Sequence, residues 1–566
     1  MTESLTTIPE KTWAKSAARI GWAILIVATL YVCYFSHLGA IGFVGPDEPR
    51  YAWIARDMAE TGDWVTPRLY DKPWFEKPPL YYWGAALCFK LFGVSEAAAR
   101  LPSAVSALLA TLALAWLALC LYGAETARWL LLLLPTSVGM IGFSRAAATD
   151  MPFSGMLTIA MVCAAVVLGL TRDANTPVIP RTPWVALIFF GFFLGLAVLA
   201  KGPAAILLSG GAVFFWAIFT KRWRDAFRLL HPAAIVTFCL TALPWYILCA
   251  RRNPDFLRVF LIEHNFKRYL TPEFQHIQPV WFYIPVLLVA LLPWTPLLLW
   301  SESVATVRLW RMKQIAEPAA YFLAWALVCV AFFSTSKSKL PGYILPSVPA
   351  ISALLARSCA TFASSYRKSF CLVHWTAAII LLASSIVIGT FTRHMSSTNQ
   401  RFAAAASFVA ASIGLANLIL GCFHGRITAH RLAAACSVLP ILAVLCLAAK
   451  FTPLLFVWDP SGRSIAHELQ LRKIPSDRLA LLGMNRGLHY SLNFYLRDEI
   501  KDWDQDHASD GYLLTGGRSC KYVAPPTLAC EEVPFDLAST GRFLYRLVPA
   551  NSPDNLPRSG QPQQKK

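Results

Sequence analysis

The sequence predicts a polytopic α-helical membrane protein that ends in a small α/β domain. Three observations carry this reading: about thirteen apolar runs of bilayer-spanning length, basic loops that alternate along them, and a hydrophobic pattern that stops near Trp458. Of the 566 residues, 56% are hydrophobic and 15% charged, with a mean hydropathy of +0.49. Soluble domains are more charged and less apolar. The net charge of +19 would suit a nucleic-acid binder if its cations formed one stripe. They are instead spread through short loops, so the charge reads as membrane topology and contact with anionic lipid.

The opening "MTESLTTIPEKTWAKSAAR" carries charges of both signs, and the apolar run after it has no small-residue cleavage site. It reads as a retained first span, not a signal peptide. Spanning runs are expected near residues 20–43, 101–122, 129–144, 151–170, 184–200, 203–220, 232–250 and 282–300, then 319–333, 341–357, 371–391, 403–423 and 432–457. An odd number of spans puts the termini on opposite sides. The loops "KRWRDAFR", "RLWRMK", "SSYRK" and "GRITAHR" fall on the same side as Lys11, Lys15 and Arg19, which the positive-inside rule makes cytoplasmic. One loop opposes the bias: residues 251–281 hold Arg251, Arg252, Arg258, Lys267 and Arg268 yet count as external. Such a loop either breaks the topology or binds an anion.

"PPLYYWGAALCFKLFG" is apolar but too short to span, and is expected as a juxtamembrane or re-entrant helix. The transmembrane part thus covers residues 1–457, with a first external loop at 44–100. Beyond it, "RLALLGM", "GYLLTGG" and "GRFLYRLV" read as strands and "LHYSLNFYLRD" as a helix. An external α/β domain over 458–550 and a disordered tail at 551–566 complete the chain. Most of the 14 cysteines lie in apolar runs and read as small core residues. Cys520 and Cys530 lie in the polar C-terminal segment, where an oxidising compartment would join them.

This threading gathers polar motifs from six separate segments on the external side. They are "GPDEPRY" with Asp47, Arg50 and Tyr51, "YDKPWFEKPPLYYW" with Glu76, Lys77 and Tyr82, "RAAATDMPF" with Asp150, "AKGP" with Lys201, "EHNFKRY" with His264, and "STSKSKLPGYILPSVP" with Lys337, Lys339 and Tyr343. Taken singly, each has an ordinary reading: the aspartates as helix caps, Lys201 as a snorkelling cation, His264 as an interfacial histidine, and the tyrosines as an aromatic belt. Taken together, they make a polar edge that can hold a phosphate and polarise a sugar. Cations and phenols supply charge-assisted bonds to a leaving phosphate. Carboxylates bind hydroxyls or amines, act as a base, or hold a divalent cation with His264.

The ordered set "GPDEPRYAWIARDM", "FEKPPLYYW", Asp150 at the start of a span, and "SKSKLPGYILPSVPA" resembles the bacterial aminoarabinose lipid A transferases, relatives of the protein O-mannosyltransferases, over essentially the whole chain. The resemblance implies a GT-C fold with juxtamembrane helices and a periplasmic cavity. It also implies transfer of 4-amino-4-deoxy-L-arabinose from undecaprenyl phosphate to a lipid A phosphate, or another phosphorylated lipid, at the bacterial inner membrane. The outcome would be resistance to polymyxin and other cationic peptides. By the same resemblance Asp47, Asp150 and Lys77 are catalytic, and Arg50, Tyr51, Tyr82, Lys201, Lys337, Lys339 and Tyr343 bind substrate. Glu76 and His264 become ligands of a divalent metal such as zinc. Two alternatives stay open: a related transferase that moves another polyprenyl-linked sugar to a glycan, lipid or protein, and a transporter. The latter should show broken half-helices in paired repeats, a pattern the sequence lacks.

Overall fold

A computed structural model of the chain describes residues 8–171, 183–270, 277–299, 317–362, 367–392, 397–424, 438–439, 442, 461–504, 510–517, 520, 524–534 and 542–550. It divides into two compact units, one of Met1–Ala40 with Ile54–Leu455 and one of Ile41–Trp53 with Phe456–Lys566. Residues 41–53, expected at the start of the first external loop, therefore fold with the C-terminal segment. The expected span at 432–457, apart from residues 438–439 and 442, and the tail at 551–566 lie outside the described residues.

In the helical unit, six helices among the described residues are long and apolar enough to cross a membrane, or up to seven if a bent pair is one span. Among the described residues the expected runs take several forms, and proline shapes three of them. The run at 129–144 breaks around Pro135 into Ala124–Leu133 and Val138–Ser144, bent by 64°. The run at 341–357 opens as a 3₁₀ turn, Pro341–Ser347, before the helix Val348–Phe362, because Pro341 and Pro346 each lack the amide that an α-helix needs. The helix Tyr283–Ala290 stops short of Pro293. Leu80–Phe92 has 13 residues, about 20 Å of helix, too short to cross a hydrocarbon core.

Asp150–Val167 is the most enclosed span, with 83% of its apolar window buried. Small residues admit its neighbours. A Cβ on Gly155 would lie 2.8 Å from the Ser106 carbonyl oxygen of Glu96–Tyr122, and one on Gly195 2.8 Å from Thr241 Cβ of Pro232–Arg252. Such approaches matter in lipid, where packing and not water exclusion joins helices. Two arginines hold the end of the first helix: Arg100 donates to the Leu38 carbonyl at 2.7 Å and Arg145 to that of Val32 at 3.2 Å.

The segment between Thr61 and Leu80 is fastened by indoles and an amide. Trp83 donates to the Trp64 carbonyl at 2.8 Å, Trp245 to that of Val65 at 2.9 Å, and Asn253 to the Thr66 hydroxyl at 3.0 Å. Beside it, a half-buried Asp57 carboxyl is pushed above its usual range, first by burial and then by the nearby Asp71. Its Oδ2 makes no hydrogen bond among the described residues.

The C-terminal unit has a five-stranded mixed sheet in the order Lys501–Asp502, Leu479–Leu482, Gly511–Thr515, Phe543–Pro549, Leu528–Val533. The first three strands run parallel and the last two pair antiparallel. Alternation in "LALL" sends Leu479 and Leu481 into a core with Ile465 and Leu469 of the helix Arg463–Leu471, and with Leu488 and Leu492 of Arg486–Leu496. Three strands and one helix match the sequence reading. Leu528–Val533 was missed because "LACEEV" is an edge strand that alternates weakly, its pairing supplied by Phe543–Pro549. A disulfide ties Cys520 to Cys530 on that edge strand, Cα to Cα 6.3 Å.

Two stability outcomes follow from this packing. Gly487 faces Gly45 so closely that a Cβ would lie 2.9 Å from the Gly45 carbonyl carbon, and Gly45 itself has a φ of +71°. Gly487→Ala should destabilise the C-terminal unit by about 1–3 kcal/mol, read as faster limited proteolysis within it. Asp57→Asn should raise the thermal unfolding temperature at neutral pH. With the folded pKa above the unfolded one, the favourable protonated state is fully populated only below the unfolded pKa and is lost as pH rises through the folded one. The gain should vanish as pH falls into the ordinary carboxylate range.

Candidate active site

Two helix ends meet in the helical unit. Asp150 lies in the first turn of Asp150–Val167, and Lys201 is the last residue of Trp184–Lys201. A helix N-terminus favours an anion and a C-terminus a cation, so each charge sits where its own backbone stabilises it. Their side chains form an ion pair, only 19% and 10% exposed respectively. Lys201 also lies over the Tyr343 ring, 4.5 Å from its centroid, and 5.6 Å from that of Phe153.

Tyr343 is brought there by a strap that runs from Ser336 into the 3₁₀ turn. Ser338 bridges Ile277, the Lys337 amide donates to the Tyr269 carbonyl at 2.9 Å, and the Tyr283 hydroxyl donates to that of Leu340 at 3.2 Å. Lys339 is buried, with its ammonium donating to the Gln278 carbonyl at 3.0 Å and to that of Ser336 at 2.5 Å. Burial, and then the neighbouring Lys337, lower its pKa. The strap then passes Gly342 against Asp150, where a Cβ would lie 2.6 Å from Oδ1 and 2.8 Å from the Phe143 ring.

Beside this pair opens a cavity of about 600 Å³ whose wall includes Lys77, Lys201, His264, Tyr269, Ser338 and Tyr343, the remainder being mostly apolar. An anionic head on a hydrocarbon chain matches such a wall. Lys77 Nζ is 3.9 Å from Glu76 Oε1, both side chains being largely buried. Tyr82 is fully buried, as is its neighbour Tyr81, whose hydroxyl donates to the Ala99 carbonyl at 2.8 Å.

Of the residues singled out in the sequence, Lys77, Lys201, His264 and Tyr343 therefore line one cavity and Asp150 is bound to one of them. Lys339 is placed as a fastener of the strap, and Lys337 is exposed. Tyr269, Ser338 and Gly342 were not singled out. "EHNFKRY" and "SKSKLPGY" contained them, but nothing in the spacing separates a wall residue from its neighbours. Among the described residues no group of three or more His, Cys, Asp or Glu is arranged to hold a metal. Glu76 and His264 alone fall short of the three or four protein ligands of a zinc site.

Asp47, Arg50 and Tyr51 belong to the C-terminal unit. Glu48 accepts from the Val44 amide at 2.9 Å at the start of the helix Asp47–Thr61. The buried Arg50 guanidinium pairs with Asp47, donates to the Pro46 carbonyl at 2.8 Å, and lies 5.3 Å and 5.8 Å from the Tyr490 and Tyr51 rings. Arg50 so held orients the Asp47 carboxylate, which stays about half exposed. The Phe43 amide donates to the Tyr495 hydroxyl at 3.1 Å, and the Ser491 hydroxyl donates to the Phe43 carbonyl at 3.2 Å.

The fold extends over most of a solved relative. The crystal structure of ArnT from Cupriavidus metallidurans bound to undecaprenyl phosphate superimposes with a TM-score of 0.75 at 25% identity, covering 93% of this chain and 98% of that one. Residues 20–260 also match the family model described as dolichyl-phosphate-mannose-protein mannosyltransferase. Together the helical bundle and its charged cavity define a multispan membrane glycosyltransferase of the GT-C fold. A protein of Erwinia tasmaniensis named undecaprenyl phosphate-alpha-4-amino-4-deoxy-L-arabinose arabinosyl transferase is 31% identical over 396 residues, 68% of this chain and 69% of that one. One from an Enterobacter species with the same name is 34% identical over 313 residues, spanning 55% of this chain and about half, 54%, of its own length. The chain belongs to this family of undecaprenyl phosphate-aminoarabinose arabinosyl transferases.

The crowding at Gly342 gives a direct test of the pair. Gly342→Ala should push the Asp150 carboxylate off Lys201 and lower transfer at least tenfold, while the protein still purifies as a folded monodisperse species. Unchanged turnover would show that the carboxylate position is not critical.

Proposed function

We propose that the chain transfers 4-amino-4-deoxy-L-arabinose from undecaprenyl phosphate to a phosphate of lipid A. The reaction takes place on the periplasmic side of the bacterial inner membrane, with the N-terminus cytoplasmic and the C-terminal unit periplasmic. The observation that carries this is the cavity with Lys77 and the Asp150–Lys201 pair in an otherwise mostly apolar wall. The disulfide between Cys520 and Cys530 supports an oxidising compartment for the C-terminal unit. Adding an amino sugar to a phosphate makes the outer membrane less anionic and lowers its affinity for polymyxin and similar cationic peptides.

The chemistry asks for charge stabilisation more than for a base. Departure of a polyprenyl phosphate builds negative charge on its oxygens, and Lys77 is the cation proposed to meet it. A preorganised cation in a low-dielectric wall needs no reorganisation as that charge grows. The acceptor phosphate is already ionised at neutral pH and attacks without deprotonation. Asp150, steadied by Lys201, accepts hydrogen bonds from the sugar amine or hydroxyls and stabilises positive charge developing at the anomeric carbon. Asp47, steadied by Arg50, is proposed as a second carboxylate that acts on the sugar.

Purified protein given undecaprenyl-phosphate-linked aminoarabinose and lipid A should yield the modified lipid A by mass spectrometry. Lys77→Ala should lower turnover by about 10²–10³-fold, the loss of one developing-charge contact, with folding unchanged. Asp150→Asn and Asp47→Asn should also lose transfer. Full activity in these variants would overturn the assignment. Transfer of a different sugar, or to a different acceptor, would replace the substrates while keeping the reaction class.

A further inference from the structure

A second cavity, of about 390 Å³, lies in the helical unit and plays no part in the chemistry above. Its size is within the range of ligand pockets, about 300–1,000 Å³. Its walls come from three helices and the short segment that joins two of them: Phe190 and Leu194 of Trp184–Lys201, Gly210 and Val213 of Ala204–Thr220, Trp223, Phe227 and Leu230, and Ile235 and Phe238 of Pro232–Arg252. Ser209 is the one hydroxyl in the lining, and it is satisfied by donating to the Ile206 carbonyl at 3.2 Å. The frame is preformed. Gly191 and Gly195 seat their helix directly on Pro232–Arg252, where a Cβ on Gly191 would lie 3.0 Å from the Phe238 amide nitrogen. At Gly210, by contrast, a Cβ would meet nothing within 4 Å.

The joining segment is amphipathic. Trp223, Phe227 and Leu230 line the groove, Phe227 and Leu230 remaining 64% and 63% exposed, while four cations alternate with them. Arg222 is committed to Asp225, Glu317 and the Leu168 carbonyl, and Arg228 pairs with Asp225 at 2.7 Å. Lys221 and Arg224 are exposed, and among the described residues neither forms an ion pair. These cations lie beyond the Thr220 end of Ala204–Thr220, whereas Lys201 and the catalytic cavity lie at that helix's other end. A helix of 17 residues separates them, about 25 Å. The cation-bearing end of the groove therefore lies at the opposite end of this helix from the catalytic cavity.

We propose that this groove holds one acyl chain of an anionic phospholipid, with the headgroup phosphate on Lys221 and Arg224. An apolar slot whose lining residue Trp223 is flanked in sequence by Lys221 and Arg224, exposed cations with no ion pair among the described residues, matches a lipid that carries its charge at that membrane edge. The hydrocarbon tail of the polyprenyl donor is the competing occupant, because Ile206 lines both cavities. That tail brings no charge to the far edge, so it makes no use of Lys221 and Arg224. The phospholipid accounts for both ends of the groove.

The test is native mass spectrometry of the full chain released from micelles doped with dioleoyl-phosphatidylglycerol or dioleoyl-phosphatidylethanolamine. The wild type should retain one phosphatidylglycerol in preference to phosphatidylethanolamine. Gly210→Phe, which fills the slot, and Lys221→Gln with Arg224→Gln, which leave the slot open, should each weaken retention, the double variant by about tenfold. Arg251→Gln, exposed at the far end of Pro232–Arg252, should retain it. The exposed-cation variants keep the test valid if Gly210→Phe fails to fold. Equal retention of both lipids by the wild type, retention unchanged in the double variant, or displacement of phosphatidylglycerol by stoichiometric undecaprenyl phosphate would each overturn the proposal.

Discussion

The pairing of Asp150 with Lys201 is the constraint around which the helical unit is arranged. It joins the N-terminus of one span to the C-terminus of the next, so two helix dipoles and two side-chain charges offset one another in a poorly solvated place. Removing either partner would leave a charge there that neither water nor lipid can accommodate, which is costly even where the intact pair adds little net stability. The surroundings serve the pair. Gly342 leaves room for the carboxylate, Tyr343 covers the ammonium, and the strap that carries both is held by backbone bonds and by Lys339.

The same device recurs on a smaller scale in the C-terminal unit. Asp47 is presented by Arg50, and Arg50 is held by a carbonyl and by the rings of Tyr51 and Tyr490. In both cases a cation that looked in the sequence like a phosphate ligand spends its charge on a neighbouring carboxylate. Lys77, on the cavity wall, is the cation proposed for phosphate.

Apolar run length, loop charge and the abrupt end of hydrophobicity made the architecture legible, because a bilayer imposes lengths and charge asymmetries on any chain that crosses it. The motifs around Lys77, Asp150, Lys201 and Tyr343 were legible too, since charged residues beside apolar runs need a reason. Less legible were the breaks. Pro135 and Pro341 sit in runs whose hydropathy says span, and whether a proline kinks a helix or ends it depends on what packs against the freed carbonyls. The edge strand Leu528–Val533 was invisible for a similar reason, as its backbone partners are supplied by a strand that follows it.

By itself, the sequence determined the membrane class, the family resemblance, the polar motifs at span ends and the small α/β domain, all of which rest on local composition and period. Tertiary structure alone decided that residues 41–53 fold with the C-terminal unit, that Lys339 fastens a strap, and that Gly342 must be small. It also decided that a slot stays open beside Gly210. Each of these depends on distances between residues far apart in the chain, and close packing makes such distances matter to within a single methyl group.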